Sequence, residues 1–264
     1  MSAATLEPGE LAGWLDEHAI GERTGVDVIG RWGSGTGDVS ALSLAAADGA
    51  AAYVDVVELG PADENALAAW LADPARHKAM HDAKGPLLAI WARGWDLAGL
   101  TSDTQLAAYL TRPDQRTFDL ADLTIRYLKR ELKVEGAPDL TDSDQLALDF
   151  GDDDSGAKVA AEASMVRASA AIDLADALDA EIEQRNETSL LYGVELPLLR
   201  TLARMEQTGV AVDVDHLEAL ESDFGATVNQ AAAEAYAVLG KQINLGSPKP
   251  VSYTHLTLPT TPYV

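Results

Sequence analysis

The sequence predicts an α/β domain followed by a helical segment. Three observations carry that reading. Strand-like and helix-like patterns alternate from residue 1 to about 135. A single apolar stripe then recurs every fourth position from Val159 to about Glu183. From Pro197 onward the apolar residues keep a helical period.

Taken in order, Leu6 to Ala19 reads as a short amphipathic helix with Leu11, Trp14, Leu15 and His18 on one stripe. Val26 to Gly30 reads as a strand, and Gly33 to Asp38, rich in glycine, as a hairpin turn. Val39 to Ala47 is a second strand, Asp48-Gly49 a turn, and Ala51 to Val57 a third strand. Asp63 to Ala72 is helical and is ended by Asp73-Pro74. Lys78 to Asp82 has the length of a short strand. Pro86 suits the first turn of a helix reaching Ala92, because its fixed φ and missing N–H cost nothing there. Thr101-Ser102-Asp103 opens a helix over Leu106, Tyr109 and Leu110, and Leu120 to Leu132 is another.

Residues 135–156 break this pattern. They are acidic, begin with Gly136-Ala137-Pro138 and end with Gly151-Asp152-Asp153-Asp154-Ser155-Gly156, which reads as a mobile loop. The long helix after it buries Val166, Ala170, Leu174, Leu178 and Ile182. Pro197 starts a helix with the stripe Leu198, Leu199, Leu202 and Met205, and Gly209 sits at its C-terminal cap. Val210 to Val212 is briefly extended. Asp213 or Asp215 caps the next helix, whose face is Leu217, Leu220, Phe224 and Val228 and which Gly240 stops.

Composition removes several classes of function. Of 264 residues, 47% are apolar and only 6% aromatic, so the core is small and aliphatic. Lys and Arg number 19 against 43 Asp and Glu, a net charge of −24, which argues against a freestanding basic nucleic-acid binder. With no cysteine there is no disulfide framework, zinc knuckle, iron–sulfur cluster or thiol nucleophile. No apolar run reaches the ~18–20 residues of a membrane span, and Met1 to Glu10 lacks the marks of a signal peptide. The expectation is a cytoplasmic monomer with no membrane contact.

Two motifs point to a family. The first is Glu195-Leu196-Pro197, then Leu202-Ala203-Arg204-Met205-Glu206, then Thr208 to Asp213. The second is Gln242-Ile243-Asn244-Leu245-Gly246-Ser247-Pro248-Lys249. In this order and spacing they resemble the opening of the polymerase thumb in family-A DNA polymerases. Ser102 to Leu110 is similar to a helix of the domain that precedes the thumb there, and the alanine-rich style resembles that of actinobacterial members. The resemblance implies a ribonuclease-H-like 3′–5′ exonuclease-like domain, a mixed sheet flanked by helices, over 1–187. It implies the start of the thumb over 188–250. It also implies a longer parent that extends a primer on template DNA with Mg²⁺, through palm and finger residues that lie beyond Lys249. From Pro250 the family pattern stops. Val251-Ser252-Tyr253-Thr254-His255-Leu256 reads like a translated sequencing-library adapter, so 251–264 is expected to be an artefactual tail.

Active exonuclease domains of this family hold two metal ions with an Asp-x-Glu on the first strand, an Asp after the fourth strand and a Tyr-x-x-x-Asp on a late helix. Here Ile29-Gly30-Arg31-Trp32 stands where Asp-x-Glu belongs. Counting back from Asp103-Thr104 puts the second Asp at Pro86, and the late Tyr and Asp fall near Arg167 and Ala171. No carboxylate stands at any of these positions. The resemblance therefore implies a domain with no catalytic residue and no metal or other cofactor of its own, acting as a scaffold. Two alternatives stay open: an active exonuclease with carboxylates displaced to Asp27, Asp82 or Asp173, and an acidic module that binds a protein through 135–156.

The remaining features have plainer readings. Asp149 and Asp152 to Asp154 lack the spacing of a Ca²⁺ loop and read as solvated. Gly33 to Gly37 precedes a strand and lacks a phosphate-binding lysine. His77 and His81, four apart, could share a helix face but have no acidic partner motif. Trp70, Trp91 and Trp95 read as packing residues. Lys241, Asn244, Ser247 and Lys249 are the expected DNA-binding residues, with donors suited to phosphates. The acidity predicts that the isolated chain binds primer–template DNA weakly.

Overall fold

The computed structural model describes residues 2–21, 23–134 and 154–247. Most of the acidic stretch 135–156, together with Lys249 and the tail 251–264, lies outside the described residues. The chain divides into two units, Met1–Gly209 and Val210–Val264.

The first unit is built on a six-stranded mixed sheet. Its strands are β1 (Ser2–Thr5), β2 (Thr24–Gly33), β3 (Thr36–Ala46), β4 (Ala50–Asp55), β5 (Lys78–Met80) and β6 (Leu100–Asp103), in the order β1-β4-β3-β2-β5-β6. The β2–β3 and β3–β4 pairs are antiparallel. The β1–β4, β2–β5 and β5–β6 pairs are parallel. The glycine-rich turn is the hairpin expected, with Gly33 facing Thr36 and Gly35 at φ +76°. A bulge between Ile29 and Gly30 lets the outer half of the hairpin bend away from the sheet. Strand β1 has no signal in its Ser-Ala-Ala-Thr sequence; its pairing with β4 makes it a strand.

The helices α1 (Leu11–His18), α2 (Pro61–Ala72), α3 (Lys84–Ala92) and α4 (Thr104–Thr111) follow the predicted order. The first is shorter than its pattern, because Gly9 at φ +98° turns the chain and its N–H donates to Asp63 Oδ2. Asp103 caps α4 by accepting from the N–H groups of Gln105 and Leu106. The predicted helix 120–132 is cut short. A single turn, α5 (Leu120–Leu123), passes into a wider π turn at Thr124–Leu128, and Lys129 at φ +56° ends it.

Helix α6 (Asp154–Arg185) starts inside the stretch expected to be a loop and crosses the sheet. Ala170, Leu174, Leu178 and Ile182 are buried as predicted, beside Leu120 and Leu123 of α5, while Val166 is only partly covered. A second face of the same helix, Met165, Ala168 and Ile172, packs on Ala45 and Ala51 of the sheet. Two-sided burial explains why half of its buried positions are alanine: a small side chain lets the helix lie close to the strands. At Gly25 of β2 the approach is closest. A Cβ there would lie 2.0 Å from the Ala168 carbonyl oxygen.

Beyond a short turn, α7 (Thr188–Leu190), a π turn at Leu191–Glu195 leads into α8 (Leu196–Thr208). The buried stripe of α8 is Leu196, Leu199 and Ala203, whereas Leu198, Leu202 and Met205 are exposed. Of the predicted stripe Leu199 alone is buried; Ala203, outside it, turns to the core while Leu198, Leu202 and Met205 face out. This compact unit runs to Gly209, past the expected division at 187/188, because α8 packs on α3.

The second unit contains α9 (Val214–Leu239), capped by Asp213, which accepts from the His216 N–H, and stopped by Gly240 at φ +67°, both as predicted. Its stripe Leu217, Phe224 and Val228 is exposed. No helix among the described residues is long and apolar enough to cross a membrane.

Candidate functional site

The sequence placed its metal-site positions on β2, at the start of α3 and in the middle of α6. From β2, Trp32 reaches over the first turn of α3. A Cβ on Gly85 would lie 2.2 Å from the Trp32 Nε1, so only glycine admits the indole. Pro86, next to it, is buried in the same turn. Arg31 is exposed.

One step back along β2, Asp27 accepts from Ser164 Oγ at 2.8 Å and from Arg167 Nε at 3.1 Å, both on α6. The two charged side chains are only 15% and 9% exposed. Such a pair is costly to desolvate and costlier to break. Ala171 is buried one turn further along α6. Trp32 and Pro86 thus lie at the start of α3, whereas Arg167 and Ala171 lie on α6, with Asp27 paired to Arg167.

The chain after β5 adds a buried polar corner. His81 Nδ1 lies 2.8 Å from Thr104 Oγ1, and its Nε2 is buried without a hydrogen-bond partner. Burial, helped by the Arg167 charge, pulls the His81 pKa down to about 3, so the ring is neutral. Asp103 accepts from the N–H of Ala83 at 2.8 Å and caps α4. Burial pushes its carboxyl up to about 6 against the pull of those donors. His77 and His81 flank the strand β5, so they do not share a helix face.

The alternative carboxylates do not gather here. Asp27 is tied to Arg167, and Asp173 pairs with Arg130 at 2.5 Å. Asp82 lies close enough to Asp103 to raise its pKa. Among the described residues, no three His, Cys, Asp or Glu side chains are grouped to hold a metal ion.

Lys241 and Asn244 are exposed and Ser247 is partly covered, in the segment that follows α9. Asn244 Oδ1 accepts from the Gly246 N–H at 3.0 Å, and its carbonyl accepts from the Ser247 N–H at 3.1 Å. Asn244 and Ser247 belong to one tight turn, and Lys241 directly follows the Gly240 cap.

Two features had no sequence signal. One is the Asp27–Arg167 pair, 140 residues apart. The other is Lys78, fully buried in β5. Its Nζ donates to the carbonyls of Asp73, Arg76 and Ala98 at 2.7–3.0 Å and lies 4.6 Å from the centre of the Trp70 ring. Trp70 and Trp95 are buried and Trp91 is partly covered, as packing residues.

A mixed sheet in this order, with a long helix across it, is a ribonuclease H-like fold of the exonuclease type. The family model for the ribonuclease H-like domain of DNA polymerase I matches residues 38–137. DNA polymerase I of Mycobacterium tuberculosis and of Mycobacterium bovis is 50% identical over 260 residues, covering 97% of this chain and 28% of theirs. That of Geobacillus stearothermophilus is 30% identical over 181 residues, 69% of this chain and 20% of its own. The POL domain of Pol1 from M. smegmatis, solved with DNA primer–template and dNTP, superposes with a TM-score of 0.76 at 47% identity, over 96% of this chain and 40% of that one. Escherichia coli RNase D shares the fold alone, with a TM-score of 0.57 at 18% identity over 80% of this chain and 52% of its own. The chain belongs to the DNA polymerase I family and spans a little over a quarter of the length of its mycobacterial relatives.

Proposed function

We propose that this chain is a part of DNA polymerase I in which the ribonuclease H-like domain is a structural scaffold without nuclease chemistry of its own. One observation carries the reading. At the positions where the family's two-metal site has its carboxylates, this sequence carries the indole of Trp32, the ring of Pro86, the guanidinium of Arg167 and the methyl of Ala171. An indole and a proline ring offer no oxygen ligand, and a guanidinium repels divalent cations. Asp27, beside Arg167, is already paired with that guanidinium. The residues present do not fit a two-metal site.

In the longer protein, template-directed DNA synthesis with Mg²⁺ is the activity to which this part contributes, and its DNA partner is a primer–template. Support comes from the similarity to Pol1 of M. smegmatis, a polymerase solved with such DNA. Lys241, Asn244, Ser247 and Lys249 are proposed to touch the DNA backbone, since their N–H, O–H and ammonium groups suit phosphate oxygens.

The test is a 3′-digestion assay of the chain on a labelled single strand with Mn²⁺ and then Mg²⁺. The expected result is no metal-dependent shortening. Digestion that EDTA abolishes, and that Asp27→Asn or Asp82→Asn removes, would replace the scaffold reading with the displaced-carboxylate one.

A further inference from the structure

The outer half of the β2–β3 hairpin projects from the sheet. Strand β4 pairs with β3 only over Ala41–Ala45, and β5 pairs with β2 only at Thr24 and Gly25. From Gly30 to Val39 the two arms therefore have only each other as strand neighbours. A two-stranded ribbon of this size is marginal alone and needs something to pack on. At its tip Gly35 is buried, and a Cβ there would lie 2.0 Å from the Glu206 carbonyl oxygen and 2.9 Å from the Gln207 Cα. The hairpin backbone thus rests directly on the last turn of α8.

Two further contacts grip the same helix. Lys84, the first residue of α3, meets Glu206 at 2.5 Å. One and a half turns earlier, Arg200 donates to Asp96 Oδ1 at 2.6 Å and to the Leu97 carbonyl at 2.5 Å. Its guanidinium also lies 5.2 Å from the centre of the Trp91 ring, whose Nε1 donates to the same Asp96 oxygen. Leu199, next to Arg200, and Ala203, between the two contacts, are buried in the sheet core.

We propose that the hairpin tip and the Lys84–Trp91 side of α3 form a seat for α8, and that this seat fixes the end of α8 from which the chain leaves the first unit at Gly209. The inference goes beyond the scaffold reading by naming what the scaffold holds. Backbone contact at Gly35 sets how far the helix can approach. The Lys84–Glu206 pair and the Arg200 bridge set its rotation, because each engages one face of one turn. That rotation turns Ala203 inward and leaves Leu202 and Met205 exposed.

Hydrogen exchange read by mass spectrometry on the whole chain tests the seat. In Gly35→Val the α8 amides from 200 to 208 are expected to exchange about tenfold faster, and in Glu206→Lys about threefold faster, while β3 and β4 keep their protection. The swap Lys84→Glu with Glu206→Lys restores protection in α8. Unchanged α8 exchange in Glu206→Lys, or a loss that the swap does not recover, overturns the proposal even if Gly35→Val fails to fold. Nuclease activity in the digestion assay would end the scaffold reading and leave this result intact.

Discussion

Arg167 and Asp27 show how much one residue decides here. Each is charged, nearly buried and held chiefly by the other, with Ser164 as a second donor to the carboxylate. Removing one partner strands the other, so Arg167→Ala is expected to cost about 3–5 kcal/mol of stability. The double change Asp27→Asn with Arg167→Met removes both charges together and is expected to cost clearly less than the sum of its parts. Urea titrations of the two single variants and the double one measure that coupling. His81 makes the second prediction. Its folded pKa lies near 3, below the value of about 6.5 in an unfolded chain, so the unfolded chain takes up a proton first as pH falls. Stability from this group is full above pH 7 and is lost as pH falls through 6.5 towards 3. Between pH 7 and pH 5 the loss is about 2 kcal/mol, and in His81→Asn this part of the pH profile is absent. Denaturant melts of both proteins at the two pH values provide the check.

Among the elements, β2 and α6 are the pair on which the first unit depends. Both faces of α6 are occupied, and the strand below it has given up a side chain at Gly25 to let it approach. Gly25→Ala is therefore expected to destabilise by about 2–3 kcal/mol, because a backbone carbonyl cannot yield as a side chain would. Gly13 in α1 is the control. Nothing lies within 4 Å of a Cβ built there, and alanine in that helix is expected to add about 0.5–1 kcal/mol. Thermal melts of the two single variants should move in opposite directions. The helix boundaries that the pattern misjudged have local causes. Gly9 at φ +98° delays α1, and a left-handed Lys129 ends the π turn that replaces the rest of a predicted helix.

For the molecule as a whole, charge is the dominant fact. At −24 the chain repels a polyanion over most of its surface, whatever contacts the turn after α9 can make. Its affinity for a fluorescent primer–template is expected to be weaker than about 100 μM at 0.15 M salt. Anisotropy titration would show this, and tight binding by the chain alone would demand a basic surface that the composition does not supply. In the longer protein the same acidity is harmless if the DNA is held by other parts, which is what a scaffold role asks of this one.

Much of this was legible in the sequence. Alternating strand and helix patterns, the stripe on α6, the hairpin glycines, the Asp213 cap and the Gly240 stop are all set by neighbours a few residues apart, and local patterns record local physics. The motif after Glu195 carried the family. The tertiary structure alone decided which partners distant residues found. Asp27 met Arg167, Lys78 met three carbonyls, Ser2–Thr5 became a strand, and α8 turned Ala203 rather than Leu202 to the core. Each of those outcomes depends on how closely two surfaces approach; at α6 and α8 that distance is set where Gly25 and Gly35 let backbone meet backbone, which no spacing along the chain encodes.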